Sequence, residues 1–208
     1  MASIHFLSPA NTSICGVNDA VGCNDGDYVI DAGACWGETA LEFARRVGVS
    51  GKVFAFEFVP SNLKVLEQNL SLNPDLRPII TLASSPLWDV SGEEMAFDDG
   101  GCSSKLSAVL GSSGKVRTTT IDEYVSTQRI DHIDYIKMDI EGAELAALRG
   151  AIQVLKSSRP KLAIALYHRD VDFQTIPEFI HSLDLGYRFH LGHHSINQYE
   201  TILYATAR

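Results

Sequence analysis

Tyr28-Val29-Ile30-Asp31-Ala32-Gly33-Ala34-Cys35-Trp36-Gly37 decides the fold class. A short apolar run ends in an acid and a glycine turn, and Ala40, Phe43, Ala44 and Val47 follow at helical spacing, which predicts a strand, a tight turn and a helix. The alternation repeats downstream. A strand is predicted over Val53–Phe58. A helix follows from about Ser61, its N-cap, carrying Leu63, Leu66 and Leu70 on one face, and then a strand over Ile79–Ala83. Further on come Val116–Thr120, a strand at Asp134–Met138, and a helix from about Glu141 with Leu145, Leu148, Ile152 and Leu155 as its stripe. After a strand at Leu162–Tyr167, a helix around Ile176, Phe179, Ile180 and Leu183 has Pro177 near its start and Gly186 at C′. It leads into Tyr187–Leu191 and Thr201–Thr206.

Strands alternating with helices imply right-handed crossovers and a mainly parallel sheet with helices on both faces. The last two strands are joined by only Gly192–Glu200, too short for a crossover helix, so the final strand should run antiparallel. The expectation is an α/β, Rossmann-like sheet of seven main strands, six parallel and one reversed. At 208 residues this is one domain, spanning 27–208 behind an irregular segment over 1–26. Asp89–Lys115 interrupts the pattern with five glycines and six serines in 27 residues, and reads as a mobile insertion with a short hairpin.

Composition narrows the function. The hydrophobic share is 45% and the charged share 21%, ordinary for a globular protein. The net charge of −9 opposes non-specific attraction to phosphate backbones or anionic lipid. No apolar stretch is long enough to cross a bilayer, and Met1–Ala20 does not read as a signal peptide. Cys15, Cys23, Cys35 and Cys102 form no C-x-x-C pair, so reduced thiols, no zinc, no disulfide and a cytoplasmic location are expected.

In open α/β sheets ligands bind at the carboxyl ends of the strands. A dinucleotide fingerprint requires G-x-G-x-x-G, but Asp31 stands where the first glycine belongs, and a carboxylate repels a pyrophosphate. It suits a ligand bearing an ammonium or sulfonium group, so the turn fits S-adenosylmethionine better than NAD. Glu57, 26 residues beyond Asp31, ends the next strand, where a carboxylate can accept hydrogen bonds from both ribose hydroxyls.

Asp131–Glu144 holds five carboxylates and one lysine. Asp139 ends the fourth core strand and should face the reactive end of the cofactor. A hard divalent cation at Asp139, Glu141, Glu144 and a histidine is chemically admissible but not favoured, because two of these acids should point along a helix rather than converge. His168 follows the fifth strand. His193 and His194 lie in the last connection at the same rim, and their convergence with His168 would supply a general base. His5, His132, His181 and His190 read as structural or loop residues.

The chain resembles the FkbM-type methyltransferases over roughly Asp27–Ala205. The likeness rests on Val29–Thr39, Phe56–Ser61 with Asn69, Leu87-Trp88-Asp89, Thr119–Tyr124 and above all Ile136-Lys137-Met138-Asp139-Ile140-Glu141-Gly142-Ala143-Glu144. Pro160–Ile164, Tyr167-His168, His193-His194-Ser195 and Glu200-Thr201 continue it. The resemblance implies a class I methyltransferase fold of strand order 3-2-1-4-5-7-6 and S-adenosylmethionine-dependent transfer of a methyl group. The usual acceptor is a hydroxyl on a sugar, glycan or secondary metabolite, and S-adenosylhomocysteine is the product. By position, Asp31, Gly33, Ala34, Cys35, Gly37 and Thr39 would surround the methionine part. Glu57 and Phe58 would meet the ribose, and Ser84, Ser85 and Leu87 the adenine edge. Asp139, His168 and His194 would be catalytic, with Glu141 and His193 toward the acceptor. Cys35 departs from the small polar residue usual there. The expected partner is a small-molecule or glycan acceptor rather than nucleic acid. The rival readings are a non-catalytic cofactor-binding or partner protein of the same fold, an NAD-dependent dehydrogenase, which Asp31 disfavours, and an RNA methyltransferase, which the charge disfavours.

Overall fold

The computed structural model describes residues 21–107, 113–196 and 199–207. Most of the expected irregular segment, residues 1–20, and the centre of the insertion, 108–112, lie outside the described residues. Val29, Ile30 and Ala32 are buried on both faces of a central strand, as a near-continuous apolar run demands. This is β1 (Tyr28–Ala32), followed by α1 (Glu38–Val47), β2 (Lys52–Phe56), α2 (Pro60–Ser71) and β3 (Ile80–Ala83). The insertion supplies β4 (Glu94–Asp98), β5 (Lys105–Ser107) and β6 (Gly114–Arg117), which pair antiparallel as a separate small sheet in the order β5-β4-β6. Then come α3 (Ile121–Thr127), β7 (Tyr135–Met138), α4 (Glu144–Arg149), α5 (Ile152–Ser158), β8 (Lys161–Ala165), α6 (Asp172–Ser182), β9 (Tyr187–His193) and β10 (Thr201–Ala207).

The main sheet runs β3-β2-β1-β7-β8-β10-β9, with β10 antiparallel to both its neighbours. This is the expected 3-2-1-4-5-7-6 order, six strands parallel and one reversed. One face packs against α1 and α2 through Phe43, Leu66 and Leu70. The other is covered by α3–α6 through Ile121, Leu148, Leu155, Ile176 and Ile180. The β1–β7 register sets Asp31 beside Lys137, a pairing the site depends on.

Several local expectations are corrected. The predicted N-cap Ser61 lies inside α2, which begins at Pro60 with Val59 as its cap. Proline at the first helical position needs no donor, and the Ser61 hydroxyl donates to Asp99 instead. Of the regular segment Val116–Thr120, only Val116 and Arg117 are strand, in β6 of the small sheet, while Thr119 forms an isolated parallel bridge with Leu87. The long helix from Glu141 is two, α4 and α5. Gly150 sits where a Cβ would lie 2.2 Å from the Trp88 carbonyl oxygen, and Asp122 accepts from the Gln153 and Val154 amides to start α5 afresh. Pro177 is interior to α6, which starts at Asp172; burial of Ile176 and Ile180 carries the helix through the missing donor.

Candidate active site

Gly33 has φ 81°, and a Cβ there would stand 2.0 Å from the Asp139 carbonyl oxygen, so only glycine allows β1 and β7 to release their ends this close together. The Gly33 and Ala34 amides both donate to the Phe56 carbonyl, at 3.1 and 2.9 Å, which fixes the turn against β2. Beneath it lies a buried ion pair. Lys137 Nζ is 3.0 Å from Asp31 Oδ1 and donates to the Gly33 and Ala32 carbonyls at 2.7 and 3.2 Å, while Thr39 donates to Asp31 Oδ2 at 2.6 Å. Asp31, expected to face a ligand cation, is thus fully buried and paired inside the protein. Its charge is spent on Lys137 because the strand register brings the two together. Ala34, Gly37 and Thr39 are likewise buried in or under the turn rather than on the cleft wall.

Above the turn is a cleft with about 560 Å³ of free space, part of it open to solvent. Gly33 and Cys35 line it, with Glu57 and Phe58 from the end of β2 and Ser85 and Leu87 from beyond β3. Ser84 is exposed and outside it, because residues leaving a strand alternate sides and Ser85 takes the inward position. Glu57 Oε1 accepts from the Phe58 and Val59 amides at 2.7 and 2.8 Å, and Oε2 accepts from Asn62 at 3.2 Å. Burial raises its carboxyl above the usual range, and those hydrogen bonds offset this only in part.

The insertion forms the far wall. Asn62 donates to the Gly101 carbonyl at 2.9 Å, Phe58 and Phe97 meet edge to face at 5.5 Å, and Cys102 is disulfide-bonded to Cys35. The expectation of reduced thiols is therefore wrong for this pair. The two cysteines are 67 residues apart and meet only because the insertion docks on the turn, which spacing alone does not reveal. Cys23 is free and buried, its thiol pushed up to about 11 by burial.

At the other end of the cleft Asp139 and Glu141 enter the wall. Glu141 is not helical: it has φ 56° and sits before α4, so it turns inward instead of pointing along a helix. His168 Nδ1 bonds Glu144 Oε1 at 2.8 Å, and Nε2 faces Asp139 Oδ1 at 3.3 Å and Glu141 Oε1 at 3.7 Å. Burial alone lowers the His168 pKa. The hydrogen bond to Glu144 and the fields of Glu144, Asp139 and Glu141 more than reverse this, leaving it above the ordinary value. Tyr167 donates to Asp139 Oδ1 at 2.8 Å, and burial with that carboxylate pushes its phenol far up.

Of the histidines expected to converge, only His168 is in this cluster. His194, one residue past the end of β9, bonds the Tyr204 hydroxyl at 3.1 Å and is not part of the cluster. His193 is exposed at the rim and bonds Thr201 at 2.8 Å. Sequence reasoning missed Lys137, whose signal was a lone lysine between Ile136 and Met138 in a strand buried on both faces, and Asn62, which carried no signal. Cys102 and Tyr167 were likewise not assigned to the site.

The fold and site invite comparison with known proteins. No curated protein matches the chain. Among solved structures, methyltransferase FkbM from Methylobacillus flagellatus KT superposes with a TM-score of 0.72 at 25% identity, over 93% of this chain and 47% of that one. The chain thus spans about half the length of that protein. Fibrillarin from Aeropyrum pernix, whose crystal holds natively bound S-adenosyl-L-methionine, gives 0.55 at 15% identity over 94% of this chain and 74% of that one. An rRNA methylase from Streptococcus thermophilus gives 0.56 at 16% identity over 88% of each chain. The last two speak for the fold alone, a class I methyltransferase sheet. The sequence model of the FkbM methyltransferase domain matches residues 15–189, and with most of its length inside that match the chain belongs to the FkbM methyltransferase family.

Proposed function

We propose that this chain transfers a methyl group from S-adenosylmethionine to a hydroxyl oxygen on a sugar, a glycan or a secondary metabolite. The observation that carries the reading is one cleft with two chemically different ends. Glu57 lies at one end, and among the described residues Asn62 is the donor to its Oε2. Asp139 and Glu141 lie at the other, backed by His168. Phe58, Val59, Leu87 and Ile140 give apolar surface between them, suited to the faces of an adenine. The residues present therefore fit an adenosine ligand: Glu57 would accept from the ribose hydroxyls and the apolar walls would hold the base. Bound S-adenosylmethionine supplies an electrophilic methyl group on a sulfonium.

The chain's own part is to align and deprotonate. Holding the acceptor oxygen in line with the methyl group is worth several kcal/mol, within the roughly 7–11 kcal/mol that good alignment can supply. Asp139, to which Tyr167 donates, would accept a hydrogen bond from the acceptor hydroxyl. With Nδ1 held by Glu144, His168 Nε2 is the atom that takes the proton, a contribution of about 10²–10⁴-fold. The net charge of −9 and the carboxylates at the acceptor end favour an uncharged hydroxyl compound over RNA, despite the fold shared with an rRNA methylase.

The test is S-adenosylhomocysteine release with sugars, polysaccharides, hydroxylated polyketides and an RNA control as acceptors. Transfer to a hydroxyl acceptor, lowered in Asp139→Asn and His168→Gln with S-adenosylhomocysteine affinity kept, supports the reading. Transfer to RNA alone would overturn the acceptor class. Cofactor binding with no transfer to any acceptor would leave the non-catalytic reading in its place.

A further inference from the structure

The acidic end of the cleft holds more negative charge than its protein partners answer. Asp139, Glu144 and His168 each offer a ligand atom, all within 4.8 Å of one another. Glu141 Oε1 adds a fourth, 3.7 Å from His168 Nε2. Lys105, 3.8 Å from Glu141 Oε2, is a long and exposed contact. Two atoms here are buried and have no hydrogen-bond partner among the described residues: His168 Nε2, on a side chain only 6% exposed, and Glu144 Oε2. Nε2 faces the Asp139 and Glu141 carboxylates at 3.3 and 3.7 Å, so one imidazole nitrogen and two carboxylate oxygens are turned toward one another.

We propose that His168 Nε2, Asp139 and Glu141 bind a divalent cation of the manganese type, with Glu144 as the positioning residue behind the histidine. Three features carry this. The separations of 3.3 and 3.7 Å are long for hydrogen bonds, and the shorter matches the roughly 3.0–3.3 Å between ligands about 2.1–2.3 Å from a metal on adjacent octahedral corners. A small swing of the half-buried Glu141 completes the set. Both inner ligands already have the outer partners a metal site uses: Glu144 fixes His168 through Nδ1 at 2.8 Å, and Tyr167 holds Asp139 at 2.8 Å. Asp139 and Glu141 also line the cleft, so the cation has a route in and keeps open positions for an acceptor's oxygens. The imidazole nitrogen points to a first-row divalent cation, and the two carboxylates single out manganese, the one of these that oxygen ligands suit best.

The consequence for the reaction, though not the binding itself, rests on the methyl-transfer reading. With the cation present, His168 is a ligand, and the coordinated hydroxyl is acidified by the metal and gives its proton to solvent.

Binding is tested on the whole chain without cofactor by the electron paramagnetic resonance of Mn²⁺. One saturable site is expected, showing nitrogen hyperfine coupling that disappears in His168→Gln. Affinity should fall about 10- to 100-fold or more in Asp139→Asn and Glu141→Gln, and by about tenfold in Glu144→Gln. Glu178→Gln, on the exposed face of α6, should change nothing. Glu141 is partly exposed, so its variant remains informative if the His168 variant fails to fold. No saturable binding up to about 1 mM Mn²⁺ overturns the site, as does equal binding by all variants, which would mean surface acids only. S-adenosylhomocysteine is titrated separately: cofactor bound without manganese removes the cation site alone, and manganese bound without cofactor removes the methyl-transfer reading alone.

Discussion

Replacing Lys137 with Met removes one nitrogen from beneath the cofactor turn and should unfold the protein far more readily than a surface change. Lys137 is 2% exposed and Asp31 fully buried, with Nζ 3.0 Å from Oδ1. At that distance and an effective dielectric of about 20, the attraction is about 5 kcal/mol. Its loss strips the buried Asp31 carboxyl of its cation, leaving the Thr39 hydroxyl at 2.6 Å, and takes a donor from the Ala32 and Gly33 carbonyls. Breaking one side of a buried pair costs about 3–5 kcal/mol, at least about a fifth of the roughly 5–15 kcal/mol that holds a domain folded. Adding Asp31→Asn removes the stranded charge, so the double variant should regain at least about 2 kcal/mol over Lys137→Met. Urea unfolding followed by circular dichroism gives all four corners of the cycle, and the coupling energy is the readout. A loss below about 1 kcal/mol in Lys137→Met, or costs that simply add in the double variant, would refute the claim that this pair braces the turn.

Glu57→Gln should trade affinity for stability in a pH-dependent way. Burial raises the Glu57 pKa above its ordinary value of 4.5, so its contribution is fully present below that value and lost as pH rises through the folded one. The Gln variant should therefore gain on the wild type in thermal melts between about pH 4 and pH 7, and a flat difference would sink the assignment. Opening the Cys35–Cys102 bond with a dithiol, or by Cys102→Ser, releases a link across 67 residues, worth about 4 kcal/mol on chain entropy alone. It also frees a cleft wall, so S-adenosylhomocysteine affinity should fall with the melting temperature. Unchanged affinity would mean that the insertion stays docked by other contacts. Gly33→Ala should cost about 1–3 kcal/mol or more in urea unfolding and weaken cofactor binding, since the Asp139 backbone cannot yield to a Cβ at 2.0 Å. Wild-type stability in that variant would contradict the close approach of β1 and β7.

The sheet was legible because its signals are local. Apolar runs such as Val29-Ile30 and the short Gly192–Glu200 connection fix both the strands and the one reversal. The cleft was legible where a strand end dictates it, at Gly33, Glu57, Ser85 and Asp139. What failed depends on tertiary register. Asp31 reads as a ligand-facing acid until Lys137 is set beside it by the β1–β7 pairing. Cys35 reads as a lone thiol until the insertion brings Cys102 over it. With that disulfide the ground for a cytoplasmic location falls away; among the described residues no helix is long and apolar enough to cross a membrane. Glu141 looked helical because its stripe continues into α4, yet Gly142 at φ 96° and Glu141 at φ 56° turn the chain first. His194 lies one residue past the end of β9, where it bonds Tyr204, a placement that sequence spacing does not reveal.

The claim that the cleft is built for an adenosine-containing methyl donor is tested most directly by calorimetric titration of S-adenosylhomocysteine into the wild type and Glu57→Ala, with NAD as the competing ligand. The account predicts micromolar binding of S-adenosylhomocysteine, weakened about tenfold or more in the variant, which corresponds to about 1.4 kcal/mol or more, and no comparable binding of NAD. Failure of S-adenosylhomocysteine to bind, indifference to Glu57→Ala, or a preference for NAD would contradict it.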